Sequence, residues 1–546
     1  MGDLFEAYLA GGARTFFNGH YAEEADRRSA VLRATRPLRP DVAGALAAQN
    51  ARLGRSDARA AHVAALARGA ATVVTGQQMG LFLGPLYTLY KAASAVVAAR
   101  ALAQETGKPV VPVFWLQNED HDVPEISACG VPGADGRLLN LQLPSPAGER
   151  ISVAHRALPA EVAACLERLA AEIGHLPCAA PHLERLGRHY RPGATWTDAF
   201  AGLLAELFAA EGLVLLDPRD PALARAIQPA HHRALERAEA LAGALAERGR
   251  ALADAGFAAT VHVRPGAPLC FFHPDGAAGP RYRLEPAPGG FAEVGGGAVH
   301  AREALLSALE AEPLRFSSSA LLRPIVQDTV LPTAAYIGGP GEVAYFAQLA
   351  PLYAEYDLPM PLLMPRARFR LLEEKTARLL ARLGLAAADV GRPEDELLAV
   401  AGARGGALLD RGELSQALLA PFESALAALR GRIEASGAGL GNAVEKTRAA
   451  VATAVDRLAA KVARAQLHRD AELVRDVRRA KQLLCPNGVP QERVYGISYF
   501  AARYGERAFV ERVLASIAPF DAAVRDIAWP ERGEGHAAAA AGEVGH

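Results

Sequence analysis

The sequence predicts an α/β protein with a parallel-sheet core and a helical arm folded as an antiparallel coiled coil. Two observations predict this class. Ala71–Leu116 reads as strand, glycine-bearing loop, helix and second strand, the βαβ unit whose crossover forces parallel pairing. Far downstream, Val444, Val451, Leu458 and Ala465 recur every seven residues, with Val455 and Val462 at the intervening seam positions. A chain of 546 residues, 51% hydrophobic and 22% charged, is long and apolar enough for three or four packed units.

Taken in order, residues 1–145 form the first part of the core. About 70 helical residues rich in Ala and Arg precede the strand Ala71–Thr75, the loop Gly76–Pro85, a helix from about Leu86 to Gln104 and the strand Val110–Leu116. Residues 146–195 read as an insertion with a helix near Glu161–Glu172. The core resumes over 196–225, with a helix Asp198–Ala210 and a buried strand Leu213–Leu216. A second insertion, 226–315, mixes a helix with short strands and many Gly and Pro. Core residues 316–370 follow, including a strand Ala334–Ile337. The arm spans 371–482: Phe422, Leu426, Leu429 and Ile433, at three-four spacing, face the heptad helix across the turn SGAGLGN. Residues 483–530 read as a segment docking back on the core, and 531–546 as a disordered tail. A two-helix arm leaves apolar surface that docking or dimerisation covers, so a homodimer is expected.

The formal net charge of −1 makes nucleic acid or an anionic membrane a poor default partner. The start MGDLFEAYLAGG lacks the basic and apolar regions of a signal peptide, and no apolar run reaches the roughly 18 residues of a membrane span. The expected location is the cytoplasm. Five scattered cysteines without a CxxC pair are expected to be free thiols, with no structural metal.

Three core segments carry the candidate chemistry. In TGQQMGLFLGPLYTLYK, Gly76, Gly80 and Gly84 allow close backbone approach, and the helix start offers N–H groups to a phosphate or carboxylate. Thr75, Gln77, Gln78 and Tyr87 supply polar contacts, and Lys91 reaches an anion from two turns into the helix. A tight strand-to-helix turn with a solvated lysine is the alternative. In WLQNEDHD, Trp115, Glu119, Asp120, His121 and Asp122 leave a buried strand together. Carboxylates beside an imidazole orient a general base, bind Mg²⁺, or form a solvated acidic turn. Consecutive loop residues cannot all converge, so His121 and Asp120 are the first choices. In LRPIVQDTVLPTAAYIGGPGE, Arg323, Gln327 and Asp328 interrupt an apolar run, and Gly339, Gly341 and Glu342 form a second exposed backbone turn. A structural Arg323–Asp328 pair and a crowded core turn are the alternatives. A fourth segment, QER with Tyr495, Tyr499 and Tyr504, lies where the feet of the arm meet the core: a ligand junction or simple anchoring. His62, His231 and Met79 read as packing or surface residues. No GxSxG, HExxH or CxxC motif is present.

These segments, with PVVPVFWLQNEDHD, GLVLLDP, AYIGGPGEVAYFAQL, MPLLMPR and YFAARYG in the same order, resemble the bacillithiol-synthesis cysteine-adding family over nearly the whole chain. The resemblance implies a Rossmann-like, nucleotidyltransferase-like core with two connective insertions and a dimerising coiled-coil arm. It implies ligase chemistry, the last step of bacillithiol synthesis, in which L-cysteine is joined by an amide bond to the amine of glucosaminyl-malate. It also implies an adenine nucleotide, ATP or ADP, near the arm junction, carried here onto Thr376, Arg378, Gln482, Arg493 and Ser498. After Arg493 the sequence departs from the family pattern: an apolar closing strand is not expected.

The expected mechanism has a carboxyl group activated before attack. His121, steered by Asp120 or Asp122, takes the amine proton, while Lys91 and Arg323 balance carboxylate charge. Two rivals use the same residues: another ATP-dependent nucleotidyl- or aminoacyl-transferase of this fold, and a non-catalytic dimer that binds a sugar-acid.

Overall fold

The computed structural model of the protein describes residues 2–133, 137–145, 148–403, 411–437, 440–468 and 470–530. It divides into two compact units. One gathers the N-terminal segment, Leu139–Phe369 and Glu492–Arg525; the other is built on Arg370–Gln491.

The first unit is organised by a five-stranded sheet: β1 (Ala71–Gln77), β2 (Val110–Leu116), β3 (Val214–Leu216), β4 (Thr333–Gly338) and β5 (Leu362–Pro365). The order is β5-β4-β1-β2-β3, and every pairing is parallel. β2 is buried at all seven positions, as a strand covered by helices on both faces must be. Helix α1 (Leu86–Thr106) makes the crossover from β1 to β2, stopped by Gly107 in the left-handed region. Helices α2 (Arg323–Val330) and α3 (Pro340–Phe346) flank β4. The order reverses direction between β1 and β4, where open α/β sheets bind ligands beyond the strand ends. A second, antiparallel sheet runs in the order Phe316–Ser318, Cys270–Phe272, Tyr282–Ala287, Gly290–Glu293, Val299–His300.

In the second unit, α4 (Arg411–Glu434) and α5 (Leu440–Leu467) pack together. Their antiparallel sense is fixed by Arg430–Glu445 at 3.5 Å and Arg448–Glu423 at 3.4 Å. The buried line departs from the strict heptad. Val444 is buried, but Leu458 is 50% exposed while neighbouring Ala459 is fully buried, and Ala465 is exposed. On α4, Leu429 is likewise exposed. An α-helix turns every 3.6 residues, so a seam read at 3.5 drifts off the contact line within a few turns. Below the coil, Leu379, Leu383, Leu397, Val477 and Leu484 form a separate core.

A strand absent from expectation closes the described chain: Val524–Trp529 pairs with Arg368–Glu373. Its sequence alternates, burying Ile527 and Trp529 between exposed residues, so it lacks the continuous apolar run by which a buried strand is recognised. Residues 438–439 of the arm turn and the tail 531–546 lie outside the described residues.

Candidate functional site

A cavity of about 540 Å³ opens in the first unit at the point where the sheet reverses. Gln77 and Gln78 reach it from the end of β1, Trp115, Glu119 and Asp120 from the end of β2, and Gly339, Gly341 and Glu342 from the end of β4. Tyr87, Lys91, Arg323 and Arg493 complete the part of its lining that the sequence singled out.

Lys91 does not wait for an anion. Its Nζ donates to the Gly76 carbonyl and to Gln77 Oε1, each at 2.9 Å, and lies 2.6 Å from Glu342 Oε2. Burial pushes the ammonium down and Glu342 pulls it back up. For Glu342 burial acts upward, but Lys91, the Gly339 N–H and the Tyr336 hydroxyl outweigh it and hold the carboxyl below its usual range. The geometry is that of a buried ion pair.

The turn after β4 also differs from expectation. The Gly339 N–H, expected to face a ligand, donates to Glu342 Oε2 at 2.8 Å, and Tyr336 donates to the other oxygen at 2.6 Å. Glu342 caps its own helix. At α1, the Leu86 N–H is taken by the Tyr495 carbonyl. Thr75 serves the sheet, its hydroxyl donating to the Ile337 carbonyl at 3.0 Å. Gly76 is needed for space, since a Cβ there would lie 2.8 Å from the Trp115 carbonyl. Gly84 ends a run of three left-handed residues, Phe82, Leu83 and Gly84, a conformation costly for the first two. Tyr190 stabilises it: its hydroxyl donates to the Gly80 carbonyl and accepts from the Leu83 N–H.

The acidic loop splits as its connectivity demands. Asp120 faces the cavity and accepts from Gln78 Nε2 at 3.0 Å. His121 and Asp122 are not on the wall. The Nδ1 of His121 is buried without a hydrogen-bond partner, 3.6 Å from Asp120 Oδ1. Burial and Arg281 push the imidazole down, so it is neutral at pH 7. Burial raises Glu119 against the pull of Arg219 and Arg281, and burial raises Glu125, also on the wall. Among the described residues no group of three or more His, Cys, Asp or Glu is placed to hold a metal ion.

Arg323 lines the cavity, whereas Gln327 and Asp328 lie behind it in the core. The alternative, a structural Arg323–Asp328 ion pair, does not form among the described contacts. Arg323 donates to Gln327 Oε1 at 2.8 Å and to the Tyr345 hydroxyl at 3.1 Å. Of the residues assigned to a nucleotide, Arg493 reaches this cavity. Thr376, Arg378 and Gln482 belong to the other unit. Thr376 and Ser498 are buried residues, and the Ser498 hydroxyl has no hydrogen-bond partner.

Several lining residues escaped the sequence reading, among them Arg281, Arg366, Glu125 and Ser318. Arg281 is buried against the Phe271 ring and donates to the Glu119 carbonyl; nothing in its local sequence marks it. Arg366, inside the MPR stretch, forms a two-pronged buried pair with Glu492. Glu125 sits just past the acidic loop. Ser318 is held by His231 Nε2 at 3.1 Å, so the histidine read as packing or surface supports the wall from behind.

Sequence comparison bears on the same regions. The family description "Bacillithiol biosynthesis BshC, N-terminal Rossmann-like domain" matches residues 3–367, and "Bacillithiol biosynthesis BshC, C-terminal coiled-coil domain" matches residues 369–525. Relatives carrying the name "Putative cysteine ligase BshC" include one from Salinibacter ruber, 34% identical over 92% of both chains. One from Koribacter versatilis is 35% identical over 92% of this chain and 93% of its own. One from Geobacillus thermodenitrificans is 32% identical over 90% and 91%.

Proposed function

The chain belongs to the BshC family of bacillithiol biosynthesis and is a ligase, and on that premise we propose that it joins L-cysteine to glucosaminyl-malate through an amide bond. The observation that carries this reading is the charge pattern of the cavity. Among the described residues on its wall, Arg323 and Arg493 have no carboxylate within ion-pair distance. Elsewhere the same wall presents Glu119, Asp120 and Glu125. Guanidiniums without carboxylate partners favour ligand carboxylates, and the carboxylates favour ammonium groups. An amino acid and an amino-sugar bearing malate each present both signs.

In this reading Arg323 and Arg493 hold carboxylates and Asp120 receives the attacking amine. His121, neutral and behind Asp120, carries off the proton released as the C–N bond forms. The acyl carbon must already bear a leaving group better than oxide, because a free carboxylate does not react with an amine at neutral pH. The residues of the cavity account for binding, orientation and proton removal. The five cysteines are unpaired, which supports a reducing compartment such as the cytoplasm. The exposed leucines of the arm, Leu418, Leu429 and Leu458, support a homodimer formed through the coil.

The test is incubation of purified protein with L-cysteine and glucosaminyl-malate, with and without ATP·Mg²⁺, with mass spectrometry of the thiol product. ATP-dependent product is the expected result. Product without ATP would keep the substrates and discard nucleotide activation. No product from folded protein would sink the assignment and favour another acceptor or a binding role.

A further inference from the structure

Arg323 stands on the cavity wall with only neutral hydrogen-bond partners. Its guanidinium meets Gln327 Oε1 at 2.8 Å and the Tyr345 hydroxyl at 3.1 Å, and it lies 5.2 Å from the centre of the Tyr336 ring. Arg323 and Gln327 are four apart on α2, the spacing at which helices commonly pair arginine with glutamate. A glutamate there would satisfy the same hydrogen bond and cancel the charge.

A glutamine amide can present either end, and only its oxygen suits a guanidinium. The choice is made one residue further on. Gln327 Nε2 donates to Asp328 Oδ1 at 2.8 Å, which turns Oε1 toward Arg323. Asp328 is anchored in turn by the Tyr353 hydroxyl at 2.5 Å on its other oxygen. Gln327 and Asp328 are both buried away from the cavity, so neither touches a ligand.

We infer that Gln327, oriented by Asp328 and Tyr353, is a positioning residue that fixes the Arg323 guanidinium while leaving its charge undiminished for a ligand carboxylate. Asp328 is held one side chain behind Gln327, and the Glu342 carboxylate, which acts on Arg323 only through space, is itself paired with Lys91. Burial pushes Asp328 up to about 6, so at neutral pH it is the carboxylate acceptor that the arrangement needs.

The identity of the anion rests on the function proposed above, and L-malate is the probe. Calorimetric titration of the full chain with L-malate reads the effect without turnover. Gln327→Glu is expected to weaken binding at least tenfold, because a carboxylate then competes for Arg323. Asp328→Ala removes the acceptor that orients the amide and is expected to weaken binding about three- to tenfold; it decides the matter if the first variant does not fold. In turnover both variants raise KM and leave kcat within about twofold, a split that general loss of structure would not give. Wild-type affinity in both folded variants, or no L-malate binding by the wild-type chain, would overturn the inference. Absence of ligase activity with the binding pattern intact would remove the functional reading alone.

Discussion

Lys91 Nζ lies 2.6 Å from Glu342 Oε2, joining the helix after β1 to the turn after β4 across the reversal point of the sheet. Both side chains are largely buried, Lys91 to within 5% of complete. Removing one partner strands the other charge, which costs about 3 kcal/mol or more, whereas removing both leaves no orphan. Glu342→Gln and Lys91→Met are therefore each expected to lower unfolding free energy by about that amount, and the double variant by clearly less than the sum. Urea titration of the four proteins checks this; additive losses would show that the pair is not coupled.

His182, His231 and His273 are buried and neutral. Burial pushes His231 down to about 4, and His182 and His273 to about 3, from 6.5. Below pH 6.5 the unfolded chain binds protons that the folded chain refuses, so stability falls with falling pH until the folded values are reached. For His231 the window from 6.5 to about 4 corresponds to a few kcal/mol. Stability measured from pH 7 to 4.5 should fall, and His231→Gln should make the slope shallower. An identical slope would assign the acid sensitivity to other groups.

Asp120 and His121 are adjacent in sequence but only Asp120 faces the cavity. Asp120→Asn is expected to raise KM and lower kcat, since it removes the contact with the amine. His121→Asn is expected to lower kcat by about 10²-fold with KM changed little. Steady-state kinetics separates them. A His121 variant of wild-type kcat would remove this histidine from the mechanism.

Leu458 on the arm is half exposed while Ala459 beside it is buried. Leu458→Glu should therefore spare the contact between the two arm helices but disrupt a contact with a second chain. Light scattering is expected to report a smaller species with unchanged helical circular dichroism. Loss of helicity would show that Leu458 belongs to the intramolecular seam.

The sheet was legible because its signals are local. Val110–Leu116 is recovered to the residue, and α1 is recovered from the Pro85 start to within two residues of its end at Thr106. The loops at the sheet reversal were legible for the same reason: short apolar strands ending in polar runs are visible in one dimension. What those loops do was less so. Whether Lys91 meets a ligand or Glu342 depends on a contact between residues 251 positions apart, which no spacing rule reaches. Arg281 arrives on the wall from a segment whose own sequence announces nothing, and the MPLLMPR stretch does not itself show that Arg366 turns into the cavity. Leu458 falls off the contact line between the two arm helices because a 3.5-residue repeat drifts on a helix of 3.6 residues per turn.

Arg366 and its partner Glu492 are separated by 126 residues, and both are buried. A ribosome must emit the whole arm between making the first and the second. Through that interval the growing chain carries an arginine meant for the interior with nothing to neutralise it, and the cavity lacks Arg493 as well. Long sequence separation of this kind slows assembly and prolongs exposure of unfinished core. The cavity wall is therefore completed only after the arm has been made, and a nascent chain stalled within the arm holds most of its sheet but lacks Glu492 and Arg493.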